Sequence, residues 1–325
     1  MTMLKKLALS AALAAGAVIP AVGLAQAFPA KPITIVVPFP AGGAADASAR
    51  IVAQKLGDNI KQPVLVDNKP GAGGQIAASA VKRSPADGYT LFLANTGSHA
   101  ANQALYSKLS YDPEKDFEPV IAVVQIPQLL VVPVTSPVKT AAELIARAKA
   151  HPGSINYASQ SVGAGGHIAA EILKSRNGVQ INHIPYKGSA AALTDLVAGR
   201  VDFMFDAMPS SLPFVKDKRL RALAIDAPKR SALLPDVPTL VEQGLTGYEA
   251  SPWFGLVAPA GTPQPVIDKL HDEVAAVLRS PDVLSRLDEM GMTAVGGTAR
   301  EFSDLMKSDT RRLGAVIRES GAKLD

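Results

Sequence analysis

Cysteine is absent from the 325 residues, which excludes disulfides, thiolate metal ligation, a cysteine nucleophile and a lipid carried on a cysteine. Aromatic residues are scarce, at 5 % of the chain with one tryptophan, so there is no series of rings on which bases would stack. Charge of one sign is lacking too: 33 Lys and Arg face 29 Asp and Glu, and two of the lysines, Lys5 and Lys6, belong to an N-terminal leader. So even a balance, with no basic stripe, excludes a nucleic-acid partner.

Catalytic signatures are also missing. Ser161 has Ser159 where a G-x-S-x-G elbow needs its first glycine, and no G-x-x-x-x-G-K-[ST] run occurs. The five histidines, His99, His151, His167, His183 and His271, show no zinc-site spacing. A triad of Ser98 or Ser159 with a histidine and Asp206 has no support in spacing. We expect no enzyme, no metal and no cofactor.

At the N-terminus, Lys5 and Lys6 precede an apolar run from Leu7 to Leu24 and then Ala25-Gln26-Ala27, a small-x-small cleavage pattern. Residues 1–27 are therefore expected to be a cleaved signal peptide that sends the protein to the periplasm. A retained membrane anchor is the alternative, but Gly16, Pro20 and Gly23 interrupt the run. After residue 27 no apolar run is long enough to span a bilayer, so the mature protein is expected to be soluble.

Short apolar runs alternate with helical patterns over the rest of the chain, which predicts an α/β fold around a largely parallel sheet. Strands are expected at 33–37, 64–67, 89–94, 120–125, 129–133, 155–158, 182–185, 203–206, 221–225 and 254–258. Helices are expected at 44–56, 75–83, 141–151, 167–176, 189–198, 263–279 and 300–320. Thr140 and Thr298 read as N-caps, and Pro263 as a first-turn proline. Two extended stretches, 116–138 and 220–236, suit paired crossovers between two lobes. The expected division is 28–125 with 226–325 as a discontinuous first lobe and 126–225 as the second, hinged near 125 and 226. A single large sheet with antiparallel edges is the alternative.

Two strand-turn-helix passages stand out, VVPFPAGGAADASAR (Val36–Arg50) and NYASQSVGAGGHIAAEIL (Asn156–Leu173). The first amides of a helix lack intrahelical acceptors and sit at the positive end of its dipole, so each turn is a prospective anion cradle. In the first, Gly42 and Gly43 allow close backbone approach; Asp46 reads as a first-turn acid paired with Arg50, with a ligand-facing role as the alternative. In the second, Ser159, Ser161, Gly163, Gly165 and Gly166 precede His167, which is equally a structural hydrogen-bonder or a ligand contact. Thr96 and Ser98, in ANTGSHAAN, are candidates for lining the cleft. NKPGAGG (Asn68–Gly74) departs from the dinucleotide fingerprint, because Ile76 stands at its last small position, and reads as a structural turn.

The strings VPFPAGGAAD, DNKPGAGGQIAASAV, SPADGYTLFLANTGSHAANQALY, NYASQSVGAGGHIAAE, HIPYKGSAAALTDLVAGRVDFMFD, LPDVPTLVEQG and WFGLVAPAGTPQPVIDKL, in that order, resemble the Bug family, extracytoplasmic solute-binding receptors of tripartite tricarboxylate transporters. The resemblance covers essentially the whole chain after the leader. It implies a two-lobed periplasmic binding protein of the Venus flytrap kind, type II-like, with a hinge of two crossover strands. It also implies a monomer that closes on a small organic carboxylate and delivers it to integral membrane permease subunits. Position by position, it implies ligand contacts at Phe39, Ala41, Gly42, Gly43 and Asp46 and at Ser159, Gly163, Gly165, Gly166 and His167. The family often has Ser or Thr where this chain has Gly166. It adds weight to Tyr186, Lys187, Gly188 and Asp206; bottom-up, Lys187 reads as a solvated cation and Asp206 as part of a loop before Pro209. Trp253 reads as a structural residue between the lobes. An orphan receptor that presents its ligand to a sensor kinase, and an enzyme acting on a carboxylate, are the rival functions.

Overall fold

Strands β1 (Ile33–Val37), β2 (Val64–Asn68), β3 (Thr90–Asn95), β4 (Phe117–Gln125), β5 (Gln128–Pro133), β6 (Asn156–Ser159), β7 (Asn182–Pro185), β8 (Phe203–Ala207), β9 (Leu220–Asp226), β10 (Trp253–Pro259) and β11 (Thr293–Gly296) form two sheets in the computed structural model. Residues 28–246 and 252–320 are described; the leader expected over 1–27 lies outside them. One sheet runs β11-β4-β10-β3-β1-β2 and the other β7-β6-β8-β5-β9. The chain passes from the first to the second between β4 and β5 and returns between β9 and β10. The two passages are tied together where the Ile126 N–H donates to the Pro252 carbonyl at 2.8 Å.

Both sheets are mixed, which corrects the expectation of a largely parallel one. β1 pairs parallel with β2 and β3, and β6 with β7 and β8. The strands flanking the passages run antiparallel: β10 against β3 and β4, β5 against β8 and β9. A chain that leaves on β4 and returns on β10 beside it must reverse direction, and the same holds for β5 and β9. Two further corrections concern helices. Asp206 lies within β8, as the strand expected over 203–206 has it, but the loop expected before Pro209 is the helix Met208–Lys216, with Pro209 in the tolerated first turn. The expected helix 263–279 spans Gln264–Leu278; a second helix, Pro281–Glu289, and edge strand β11 follow it, neither of them expected.

Local signals explain most boundaries. Thr140 Oγ1 accepts the Glu143 N–H at 3.1 Å and caps the helix Ala141–Ala150. Thr298 and Glu301 form a reciprocal capping box at the head of Ala299–Ser320. That C-terminal helix joins both cores: Phe302 packs with Phe92, Phe117 and Trp253 under the first sheet, and Leu313 and Ile317 with Tyr157, Phe203 and Phe205 under the second. Trp253 is fully buried, edge-on to Phe302 at 5.2 Å, and its Nε1–H donates to Asp309 at 2.8 Å. Gly255 permits this packing, since a Cβ there would run into the Phe302 ring. Among the described residues no helix is long and apolar enough to cross a membrane.

Candidate functional site

Four helices begin on one cavity of about 510 Å³. They are Ala44–Ile60, Gly165–Asn177, Ser189–Val197 and Met208–Lys216, and the residues just before them, Gly43, Ala164, Gly188 and Ala207, all line it. None of the four has a side-chain cap, in contrast to the helices headed by Thr140 and Thr298. Each therefore presents first-turn amides, with the positive end of its dipole, to the cavity. At the fourth, the Met208 N–H is already given to the Pro127 carbonyl and Pro209 has none, so the contribution narrows to Ser210.

Side chains complete the cavity. Among the described residues Lys187 is the one charged residue lining it, and no carboxylate does. Gln128, Gln160 and Ser210 line it, and each has a buried oxygen without a hydrogen-bond partner. Phe39, Phe254, Ile126, Leu193 and Phe214 supply apolar wall, with the Phe39 and Phe254 rings 6.0 Å apart.

The sequence candidates divide into two groups. Phe39, Ala41, Gly42, Gly43, Thr96 and Gly165 line the cavity. Asp46, Ser98, Ser159, Ser161, Gly163, Gly166, His167 and Asp206 do not; they form its supporting layer. Asp46 accepts the Gly42 N–H at 3.0 Å and holds Arg50 at 2.9 Å. Burial works to raise its pKa, but the bonds from Arg50 and Gly42 prevail and hold the carboxyl below its ordinary value. Thr96 lines the cavity while its Oγ1 accepts the Trp253 N–H at 3.0 Å. Ser98 is fully buried and bonds the Asn95 main chain.

Beneath the second turn lies a stack of neutral rings. His167 Nδ1 accepts the Gly163 N–H at 3.2 Å, and the His167 and His183 rings stack at 4.3 Å. Ser159 Oγ meets His183 Nε2 at 2.6 Å, and Ser161 Oγ donates to the neighbouring Val162 carbonyl. Burial pushes the His167 pKa down to about 4 and that of His183 to about 3, so both imidazoles are neutral near pH 7. Gly166 packs so tightly against the Phe205 carbonyl oxygen that no Cβ fits there. The hydroxyl that the family resemblance would place at this position has no room in this chain. Asp206 is fully buried, and its Oδ1 accepts the Ser189 hydroxyl at 2.6 Å. Burial raises its pKa to about 7 against the opposing effect of Ser189.

Sequence reasoning missed Gln128, Gln160, Ser189 and Ser210. Gln128 carried a legible signal, a polar residue opening the apolar run Leu129–Pro133. Ser210 carried another, in the Pro209-Ser210 start of an unrecognised helix. Lys187 and Gly188, given weight by the resemblance alone, do line the cavity.

Elements built on the two sheets come close beside the cavity. A Cβ on Gly188 would sit 3.3 Å from Pro40, one on Gly165 would collide with the Pro252 ring, and one on Gly97 with the Gly163 carbonyl.

The model of the tripartite tricarboxylate transporter family receptor matches residues 48–322. The chain is 38 % identical over 325 residues to Protein BugT of Bordetella pertussis, covering all of both chains. Its fold matches the solved structure of R. palustris Rpa4515 with adipate, at a TM-score of 0.87 and 38 % identity, over 91 % of this chain and all of the other. It also matches MatC (Rpa3494) from Rhodopseudomonas palustris with bound malate, at a TM-score of 0.85 and 33 % identity, over 89 % of this chain and all of the other. With a family model spanning most of its length and a full-length relative in BugT, the chain belongs to the receptor family of the tripartite tricarboxylate transporters, a family of two-lobed solute-binding proteins.

Proposed function

We propose that this protein is a periplasmic receptor that captures a small organic carboxylate between its lobes and hands it to the membrane permease of a tripartite transporter. The convergence of four uncapped helix starts on a cavity that, among the described residues, has no acidic lining side chain carries the reading. Such a site favours an anion. Charge-assisted bonds contribute about 1.5 to 3 kcal/mol each, so a few of them offset ordering costs and reach micromolar affinity, about 8 kcal/mol. The adipate and malate bound by two structural neighbours support the same class.

In this reading the hinge lies in the two passages near residues 125 and 226, and the anion shifts an open-closed equilibrium by binding amides from both lobes at once. The contacts of Pro40 with Gly188 and of Pro252 with Gly165 belong to the closed form. A thermal-shift screen of the purified protein against carboxylates, sugars and amines tests the proposal. A carboxylate present at about 100 times its Kd stabilises the fold by about 2.7 kcal/mol. Stabilisation by sugars or amines alone would refute it.

A further inference from the structure

This inference rests on the carboxylate reading above and adds a second occupant to it. We propose that Asp206 is a proton site coupled to the cavity: an anion held at the start of the helix Ser189–Val197 brings one proton from water onto Asp206, which then donates to Ser189 Oγ and frees the Ser189 hydroxyl hydrogen for the anion.

Asp206 lacks what other buried acids in the molecule have. Asp46, Glu171 and Asp309 are each held by a cation, Arg50 at 2.9 Å, Lys174 at 2.8 Å and Arg312 at 2.7 Å. Asp206 is 0 % exposed; its Oδ1 meets the Ser189 hydroxyl at 2.6 Å and its Oδ2 has no hydrogen-bond partner. An ionised carboxylate with a bare oxygen in a dry interior is costly, whereas a neutral carboxyl leaves only a carbonyl oxygen there. Burial accordingly raises its pKa to about 7, with the Ser189 hydroxyl and the Ala207 backbone opposing.

The elements packed against Asp206 bring no compensating charge. β5 opposes it with Leu129, and the next helix opens with Met208, Pro209, Ser210 and Ser211. Within Ser189–Val197, Asp195 is engaged by Tyr186 and Arg200; Lys187, just before that helix, is exposed. On Gly165–Asn177, His167 is neutral and Glu171 pairs with Lys174; on β6 the Tyr157 hydroxyl bonds Glu171, and on β7 His183 is neutral.

Ser189 joins this carboxyl to the cavity, because it lines the wall and Asp206 does not. A hydroxyl has one hydrogen. While Asp206 is ionised, that hydrogen is spent on Oδ1, and a negative charge lies behind a helix start that would otherwise serve the anion. Once Asp206 is protonated the bond reverses, the charge is gone, and Ser189 can donate into the cavity. An anion there prefers the protonated form, so its arrival strengthens proton binding, and its own affinity falls as pH rises through about 7.

Titration calorimetry with succinate, adipate and malate, in two buffers of different ionisation enthalpy, counts the protons taken up. These acids are ionised above pH 7, so their own titration does not enter. Wild-type binding at pH 7.5 should take up about half a proton or more, and Kd should weaken about five- to tenfold from pH 7 to 8.5. In Asp206→Asn the neutral amide donates to Ser189 at every pH, and in Ser189→Ala the link is cut. Both variants should bind without proton uptake and with a level Kd over that range, and thermal unfolding without ligand checks that they fold. Wild-type binding without proton uptake, or undiminished uptake in a folded variant, would overturn the inference and leave the carboxylate reading standing. Failure of all three acids to bind at any pH would overturn both.

Discussion

Gly165→Ala separates cleft closure from fold stability. Gly165 opens the second helix without a left-handed φ, so alanine is compatible with its backbone and strengthens the helix. In the unliganded open form the change should be neutral or stabilise by up to about 1 kcal/mol through the unfolded chain. In the closed form the added methyl meets the Pro252 ring, with Pro252 Cβ at 3.1 Å and Cγ closer still. A rigid pyrrolidine tied by its carbonyl to Ile126 cannot swing aside, so the contact carries an overpacking cost of about 1 to 3 kcal/mol. That cost falls on the liganded state alone and should weaken carboxylate binding about 5- to 150-fold. Calorimetry supplies Kd, and thermal unfolding without ligand supplies stability. Wild-type affinity in Gly165→Ala would refute the closure geometry, and equal losses in Kd and unliganded stability would show that the free protein is already closed.

Ser161→Ala should leave affinity within about threefold of wild type, because its hydroxyl bonds a neighbouring carbonyl and not the cavity; calorimetry again decides. Gly255→Ala should lower stability by about 1 to 3 kcal/mol in urea titration, because the new methyl strikes Phe302. Stability should fall on acidification below pH 6.5: buried His99, His167 and His183 stay neutral down to about pH 3 to 4, while the unfolded chain takes up protons near 6.5. Each contributes a slope of about 1.4 kcal/mol per pH unit in that window. Asp206, raised to about 7, works in the opposite sense between 3.8 and 7 and offsets about one of them, so unfolding at stepped pH should show the net loss. Mass spectrometry of periplasmic protein should find a chain beginning at Phe28; an intact leader would contradict export with cleavage.

The sequence made the strands legible because most are short apolar runs bounded by proline, glycine or charge; Asn182–Pro185 was placed to the residue. The helix Met208–Lys216 was missed although the Pro209-Ser210 start could have signalled it, because Pro213 inside it opposes a helical reading. Pairing direction was hidden as well, since nothing local to β5 or β10 says that the chain returns beside its own exit. At the site, the glycine-to-helix turns announced the cradle, and Gly42, Gly43 and Gly165 line the cavity. Side-chain direction did not follow from the pattern: Ser159, Ser161 and His167 turn into the lobe and hold the turn from behind. Gln128 and Ser210 reach the cavity from other elements, a juxtaposition that only the crossing of the chain creates.

In the proposed receptor, main-chain amides at the uncapped helix starts hold the carboxylate. A crystal structure of the protein with adipate tests it most directly. Carboxylate oxygens should lie within hydrogen-bond distance of the main-chain nitrogens of Gly43, Ala44, Gly165 or Ser189, with Lys187 at most a secondary contact. A carboxylate held by Lys187, with those helix starts facing only water, would contradict it.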